Sequence, residues 1–136
     1  MRLLALIASL AGIGVSAYLT VAHYSAIPLA CPASGAVNCE RVLASSYGVI
    51  GGSSVPTSAA GLVWFAVSAG LAAALWRSPR LLLAWSAIGL LTVLYLVYVE
   101  IVKLGAICVW CSAAHVLVLL IFLIVLSEFQ RDRVAE

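Results

Sequence analysis

The sequence predicts an all-α integral membrane protein, a bundle of four transmembrane helices, and three observations lead there. Of 136 residues, 65% are hydrophobic and 9% are charged, where a soluble domain carries about 25% charged residues. Mean hydropathy is +1.22, so lipid is the solvent of most of the chain. Apolar runs long enough to cross about 30 Å of hydrocarbon, about 20 residues each, can be marked off four times along it. Four such spans leave room for one domain and no soluble one. The net charge of +2 is small and scattered, which excludes nucleic-acid binding, since that requires Lys and Arg clustered on one face.

The first span, 3–22, runs from Leu3 to Ala22 and is interrupted only by small Ser and Gly and by Thr and Tyr. Arg2, the Leu-rich stretch and Val15-Ser16-Ala17 have the outline of a secretory signal with its cleavage site. The apolar run exceeds the usual signal core of about 7–15 residues, so an uncut span is expected. An outer segment, 23–55, follows. The second span, 56–76, opens at Ser54-Val55-Pro56-Thr57, where proline in a first helical turn removes no hydrogen bond. It closes at Trp76, before Arg77-Ser78-Pro79-Arg80. The third span is 81–102 and the fourth 107–126, with Ser127 to Glu136 as a polar tail. The short links 77–80 and 103–106 force antiparallel neighbours.

Arg2, Arg77, Arg80, Arg131 and Arg133 fall on one side of these spans, and only Arg41 and Lys103 on the other. That imbalance predicts a multi-pass protein with both termini cytoplasmic. All four cysteines, Cys31, Cys39, Cys108 and Cys111, then lie at the outer, oxidising face.

The four form two local pairs, as two dithiol/disulfide couples would. Residues three apart in an α-helix have Cα atoms about 5 Å from each other, within the range of about 4.4–6.8 Å that a disulfide tolerates. Cys108-Val109-Trp110-Cys111 can therefore switch redox state without leaving the helix. It opens the fourth span, where unpaired N–H groups and the helix dipole favour a thiolate, at Cys108 above all. Cys31 and Cys39 would be about 12 Å apart along a helix axis, so they close only as a loop, and Pro32 to Asn38 between them is turn-rich. Two structural disulfides would explain the same cysteines. A Cys₄ zinc site is disfavoured, because such sites pair two short C-x₂₋₄-C units and the first spacing here is wider; no metal is expected.

Cys31 and Cys39 in a long first outer loop, Cys39-Glu40-Arg41-Val42 followed by Ser45-Ser46-Tyr47-Gly48, and Cys108-Val109-Trp110-Cys111 at the start of the fourth span resemble the vitamin K epoxide reductase family. The form resembled is the short bacterial one without a fused thioredoxin domain, and the resemblance covers nearly the whole chain. It implies a membrane thiol:quinone oxidoreductase that oxidises a DsbA-like thioredoxin-fold partner and reduces ubiquinone or menaquinone, supporting disulfide-bond formation. Cys31 would accept electrons from the partner, Cys39 would pass them to Cys108, and Cys111 would work against the quinone. The family's amphipathic half-helix lid over the quinone pocket is matched by Arg41 to Ile50, in which Val42, Leu43, Tyr47 and Ile50 fall at helical spacing ahead of Gly51-Gly52.

Ser45 matches the family's lid serine, and Thr57 stands where animal members place a quinone-bonding Asn. His115 stands where animal members carry Tyr. At i+4 from Cys111 it shares that residue's helical face, and as an ionisable group in a span it is a candidate donor to the quinol. Ser45, Thr57 and His115 are thus the expected quinone-binding residues. Elsewhere, His23 is expected to be solvated at the outer surface, and Glu100 and Lys103 to form a local ion pair. Trp64, Trp76, Trp85, Tyr95 and Tyr98 are expected to include interface anchors, with Trp110 an anchor or a pocket wall. Two alternatives stand beside the main expectation: reduction of a vitamin K epoxide, and a non-enzymatic tetraspan protein with inert disulfides.

Overall fold

The computed structural model describes residues 1–25, 28–32, 34–74 and 78–135. The expected end of the second span, Trp76 and Arg77, lies outside the described residues. Four helices are long and apolar enough to cross a membrane: Arg2–Ser25, Thr57–Ala74, Arg80–Leu104 and Val109–Val134. The protein is a multi-pass membrane bundle. Its elements in order are α1 (Arg2–Ser25), a short α2 (Cys39–Leu43), α3 (Thr57–Ala74), α4 (Pro79–Tyr98) continuing into a π-helical segment (Val99–Leu104), and α5 (Val109–Ala135).

Between helices in lipid there is no hydrophobic driving force, so small residues that let backbones approach become the packing surface. Ala8, Gly12 and Ser16 recur every fourth residue along the buried stripe of α1. A Cβ at Gly12 would collide with the Phe65 ring of α3. α1 thus packs on α3 and on α5, and α5 on α4, while α3 and α4 touch much less. Phe65, Leu82, Val118, Ile121 and Val125 belong to one buried core cluster. There the Trp85 indole N–H donates to Ser68 Oγ at 2.9 Å, and Ser68 in turn donates to the Trp64 carbonyl. Trp64 and Trp85 lie parallel, ring centroids 6.1 Å apart. These two tryptophans therefore pack between helices and are not interface anchors, whereas Tyr95 and Tyr98 are exposed on the outer wall of α4.

Three further expectations are corrected. The polar tail Ser127 to Glu136 continues α5 as helix to Ala135, with Arg133 lying over the Phe129 ring one turn back. The lid helix spans only Cys39–Leu43, not Arg41 to Ile50. It stops because the chain folds back over its own end: Ser45 Oγ and N both donate to the Val42 carbonyl, and Gly48 lies so close to the Leu43 carbonyl that no Cβ fits there. The third correction concerns the end of the third span. Tyr98 passes into one π-helical turn, in which the N–H groups of Gly105 and Ala106 both donate to the Glu100 carbonyl, and Gly105 ends it at φ 58°. The extra residue per turn rotates Glu100 away from the face it would share with Lys103. Lys103 is exposed, and Glu100 is 7% exposed and directed inward.

Candidate active site

One parallel β-bridge, between Val37 and Ile107, brings the loop after α1 to the start of α5. Ile107 N–H donates to the Ala36 carbonyl at 2.8 Å, and Asn38 N–H to the Ile107 carbonyl at 3.0 Å. Asn38 also caps α2, its Oδ1 accepting the Arg41 N–H at 2.9 Å, which places Cys39 as the first helical residue. Cys39, Val42, Ala106 and Cys108 consequently share one buried cluster, with Cys31, Trp110 and Cys111 packed against it. Residues 69 positions apart in sequence, Cys39 and Cys108, are thus neighbours in the fold.

Cys31 and Cys39 are joined in a disulfide with Cα atoms 6.2 Å apart, and Cys108 and Cys111 are free thiols. Exposure orders the four. Cys31 is half-buried, Cys39 is 1% exposed, Cys108 is wholly buried, and Cys111 is half-buried but lines an internal cavity. The segment ahead of Cys31 is clamped from both sides. Trp110 Nε1–H donates to the Ala30 carbonyl at 3.0 Å, Ala30 N–H donates to Tyr18 Oη at 3.2 Å, and the Tyr18 and Trp110 rings meet at 4.9 Å. Trp110 is therefore neither a pocket wall nor a membrane anchor but the fastening of the loop.

Cys108 sits one residue before α5 and caps it. Cys111 N–H donates to Cys108 Sγ at 3.2 Å, and Ser112 N–H to the Cys108 carbonyl at 2.8 Å. Donation from the Cys111 side chain, together with the Cys111 and Trp110 N–H groups, draws the Cys108 thiol below its usual range, against opposition from burial and from the Glu100 carboxylate. Cys108 N–H donates to Glu100 Oε2 at 3.3 Å.

Beyond Cys111 lies a cavity of about 290 Å³, close to the lower end, about 300 Å³, of small-molecule sites. It is lined by all four long helices, the π-helical turn and the lid, and its wall is mostly apolar. Ser45, Thr57 and His115 all line it. The Ser45 hydroxyl donates to the Val42 carbonyl at 2.7 Å and the Thr57 hydroxyl to the Tyr47 carbonyl at 2.9 Å, so both present lone pairs, and not hydrogens, to the cavity. His115 makes no side-chain hydrogen bond among the described residues.

Three of the lining residues not foreseen bear on the chemistry. His23 is half-buried on the cavity wall, in place of the expected solvated side chain. Glu100 is on the wall as well, and only its position inside a span signalled it. Trp64 lines the cavity, and its buried indole N–H has no partner among the described residues.

Residues 3–126 match the family model described as the vitamin K epoxide reductase family. No curated protein matches the chain.

Proposed function

The chain belongs to the vitamin K epoxide reductase family, a membrane oxidoreductase family that works through disulfide chemistry, and from that premise we propose that it oxidises a thioredoxin-fold partner of the DsbA type and reduces a membrane quinone. The observation that carries this reading is the graded path of the four cysteines. A half-buried residue, Cys31, leads through two buried ones, Cys39 and Cys108, to Cys111 on a mostly apolar cavity. Inert staples have no use for a reduced pair one of whose members faces a cavity.

A partner thiolate attacks Cys31, and the partner's second thiol resolves the mixed disulfide. The partner leaves oxidised, with Cys31 and Cys39 reduced. Cys39 then attacks Cys108 of the Cys108–Cys111 disulfide, and Cys31 closes on Cys39 again, so both electrons now reside in the inner pair. An oxidised loop couple beside a reduced inner couple is the combination the structure displays. Quinone, the acceptor substrate, takes two electrons and two protons as Cys108 and Cys111 rejoin.

The cavity fits a quinone ring in size, in its apolar wall and in its few convergent polar groups. His115, one turn below Cys111, donates a hydrogen bond to a ring oxygen, while Ser45 and Thr57 hold the lid turn that closes the wall. By the arginine distribution both termini are cytoplasmic and the cysteines outside, and reduction of a respiratory quinone by a short bacterial form of the family fits a cell inner membrane.

The test is turnover of the purified protein with a reduced thioredoxin-fold partner and a short-chain benzoquinone, followed by quinone absorbance. Partner-dependent loss of quinone that disappears in Cys111→Ala supports the reading. Undiminished turnover in that variant refutes it.

A further inference from the structure

We propose that Glu100 is a proton carrier for quinone reduction, accepting the proton released at Cys108 and delivering it to a quinone oxygen in the cavity. The inference rests on the quinone reading above and deepens it.

Four observations meet at this side chain. It is a carboxyl group inside a spanning segment and 7% exposed; such groups are costly in lipid and mark proton or ion paths. It stands in a π-helical turn, a distortion found frequently at functional sites, and that turn is what directs it inward. One carboxylate oxygen accepts the Cys108 N–H at 3.3 Å, so the group is tied to the residue whose thiol must lose a proton. Finally, Glu100 lines the same cavity as Cys111 and His115. One side chain therefore holds the backbone of the residue that releases a proton and lines the cavity where protons are consumed. Structural neutralisation does not account for it, since Lys103 on the same turn is exposed.

The balance closes without another reactant. Cys108 and Cys111 together lose two electrons and two protons and form one S–S bond, and the quinone gains both pairs to become the quinol. The Cys111 proton reaches one ring oxygen beside His115. The Cys108 proton passes to the Glu100 carboxylate and from the resulting carboxyl to the other oxygen, leaving Glu100 as it began. The titratable groups around this path are Cys108, Cys111 and His115 at the start of α5, His23 on α1 and Tyr47 on the lid turn.

Glu100→Gln is the discriminating variant, because the amide oxygen still accepts the Cys108 N–H while the side chain no longer carries an exchangeable acid proton. The pre-reduced protein in lipid nanodiscs is mixed with a short-chain benzoquinone, and single-turnover reduction is followed across pH. Transfer between the couples is read separately, by trapping the Cys39–Cys108 mixed disulfide in a Cys111→Ser background. The expected result is a fall in quinone reduction of about 100-fold, the usual weight of a positioned acid–base group, with one ionisation missing from the pH profile and trapping unchanged. Glu100→Asp restores part of the rate and the ionisation. Quinone reduction within twofold of the parent, or a loss of trapping equal to the loss of quinone reduction, would overturn the assignment. If Glu100→Gln does not fold, Glu100→Asp decides: a displaced pH profile supports the carrier and an identical one refutes it. Retained turnover in Cys111→Ala, by contrast, would bring down the quinone reading itself.

Discussion

Trp110, the residue between the two inner cysteines whose side chain lies off the cavity, fixes the loop from which electrons arrive, and its removal has a calculable effect. Trp110→Phe deletes the N–H donated to the Ala30 carbonyl and keeps a ring against Tyr18. A net intramolecular hydrogen bond is worth about 1 kcal/mol, which lowers the ratio of docked to undocked loop by about fivefold. Trp110→Ala also removes the aromatic pair, about another 1 kcal/mol, for about 30-fold in total. Hydrogen–deuterium exchange in nanodiscs reads this directly at the Ala30 N–H, which is protected by Tyr18 Oη in the docked loop. Protection should fall about fivefold and about 30-fold in the two variants, and electron transfer from the loop couple to Cys108 should slow in the same order. Unchanged protection of 28–32 in Trp110→Ala would refute the clamp.

The remaining predictions concern the inner pair and its cavity. His115→Phe keeps an aromatic ring on the cavity wall and removes the donor; single-turnover quinone reduction should fall about 100-fold, while Cys39–Cys108 trapping stays as in the parent. Equal rates in parent and variant would return His115 to a packing role. Because the Cys111 side chain is the foremost cause holding the Cys108 thiol low, thiolate absorbance of Cys108 should titrate at higher pH in Cys111→Ala than in Cys111→Ser, whose hydroxyl still donates. In both, the thiolate forms as pH rises through the midpoint; coincident midpoints would exclude the side-chain donor. Thr57→Val leaves the Tyr47 carbonyl without its donor. With a hydrogen bond at about 1 kcal/mol, KM for quinone should rise about fivefold with kcat little changed, and a kcat loss alone would make Thr57 a direct participant.

The four spans were legible because hydropathy is a property of each residue type, insensitive to how the helices pack. The ends were less so. Polar Ser127 to Arg133 leave the lipid without leaving the helix, and hydropathy reports only the first of these. The lid was overextended because Tyr47 and Ile50 keep helical spacing, whereas the chain turns back at Ser45 to Gly48 through bonds to the Val42 carbonyl and a close approach to Leu43 that spacing does not encode. Glu100 and Lys103 were paired on the geometry of an α-helix, and a single π-helical turn, invisible to composition, separates them.

The cysteines were found by their pattern, yet what brings Cys39 beside Cys108 is backbone pairing of Ala36 and Asn38 with Ile107, which most side chains at those positions would permit. Trp64 and Trp85 show the same limit in the other direction: a tryptophan near a span end reads as an anchor until its neighbour, here Ser68, is known.

The central claim is that electrons pass from the loop couple to the inner couple through Cys39 and Cys108. In Cys111→Ser, Cys108 has no resolving thiol and attacks the loop disulfide. Peptide mapping of the acid-quenched protein by mass spectrometry should recover a disulfide between the peptides carrying Cys39 and Cys108, with Cys31 free and open to alkylation. Recovery of an intact Cys31–Cys39 disulfide alone, or of Cys108 joined to Cys31, would contradict the path.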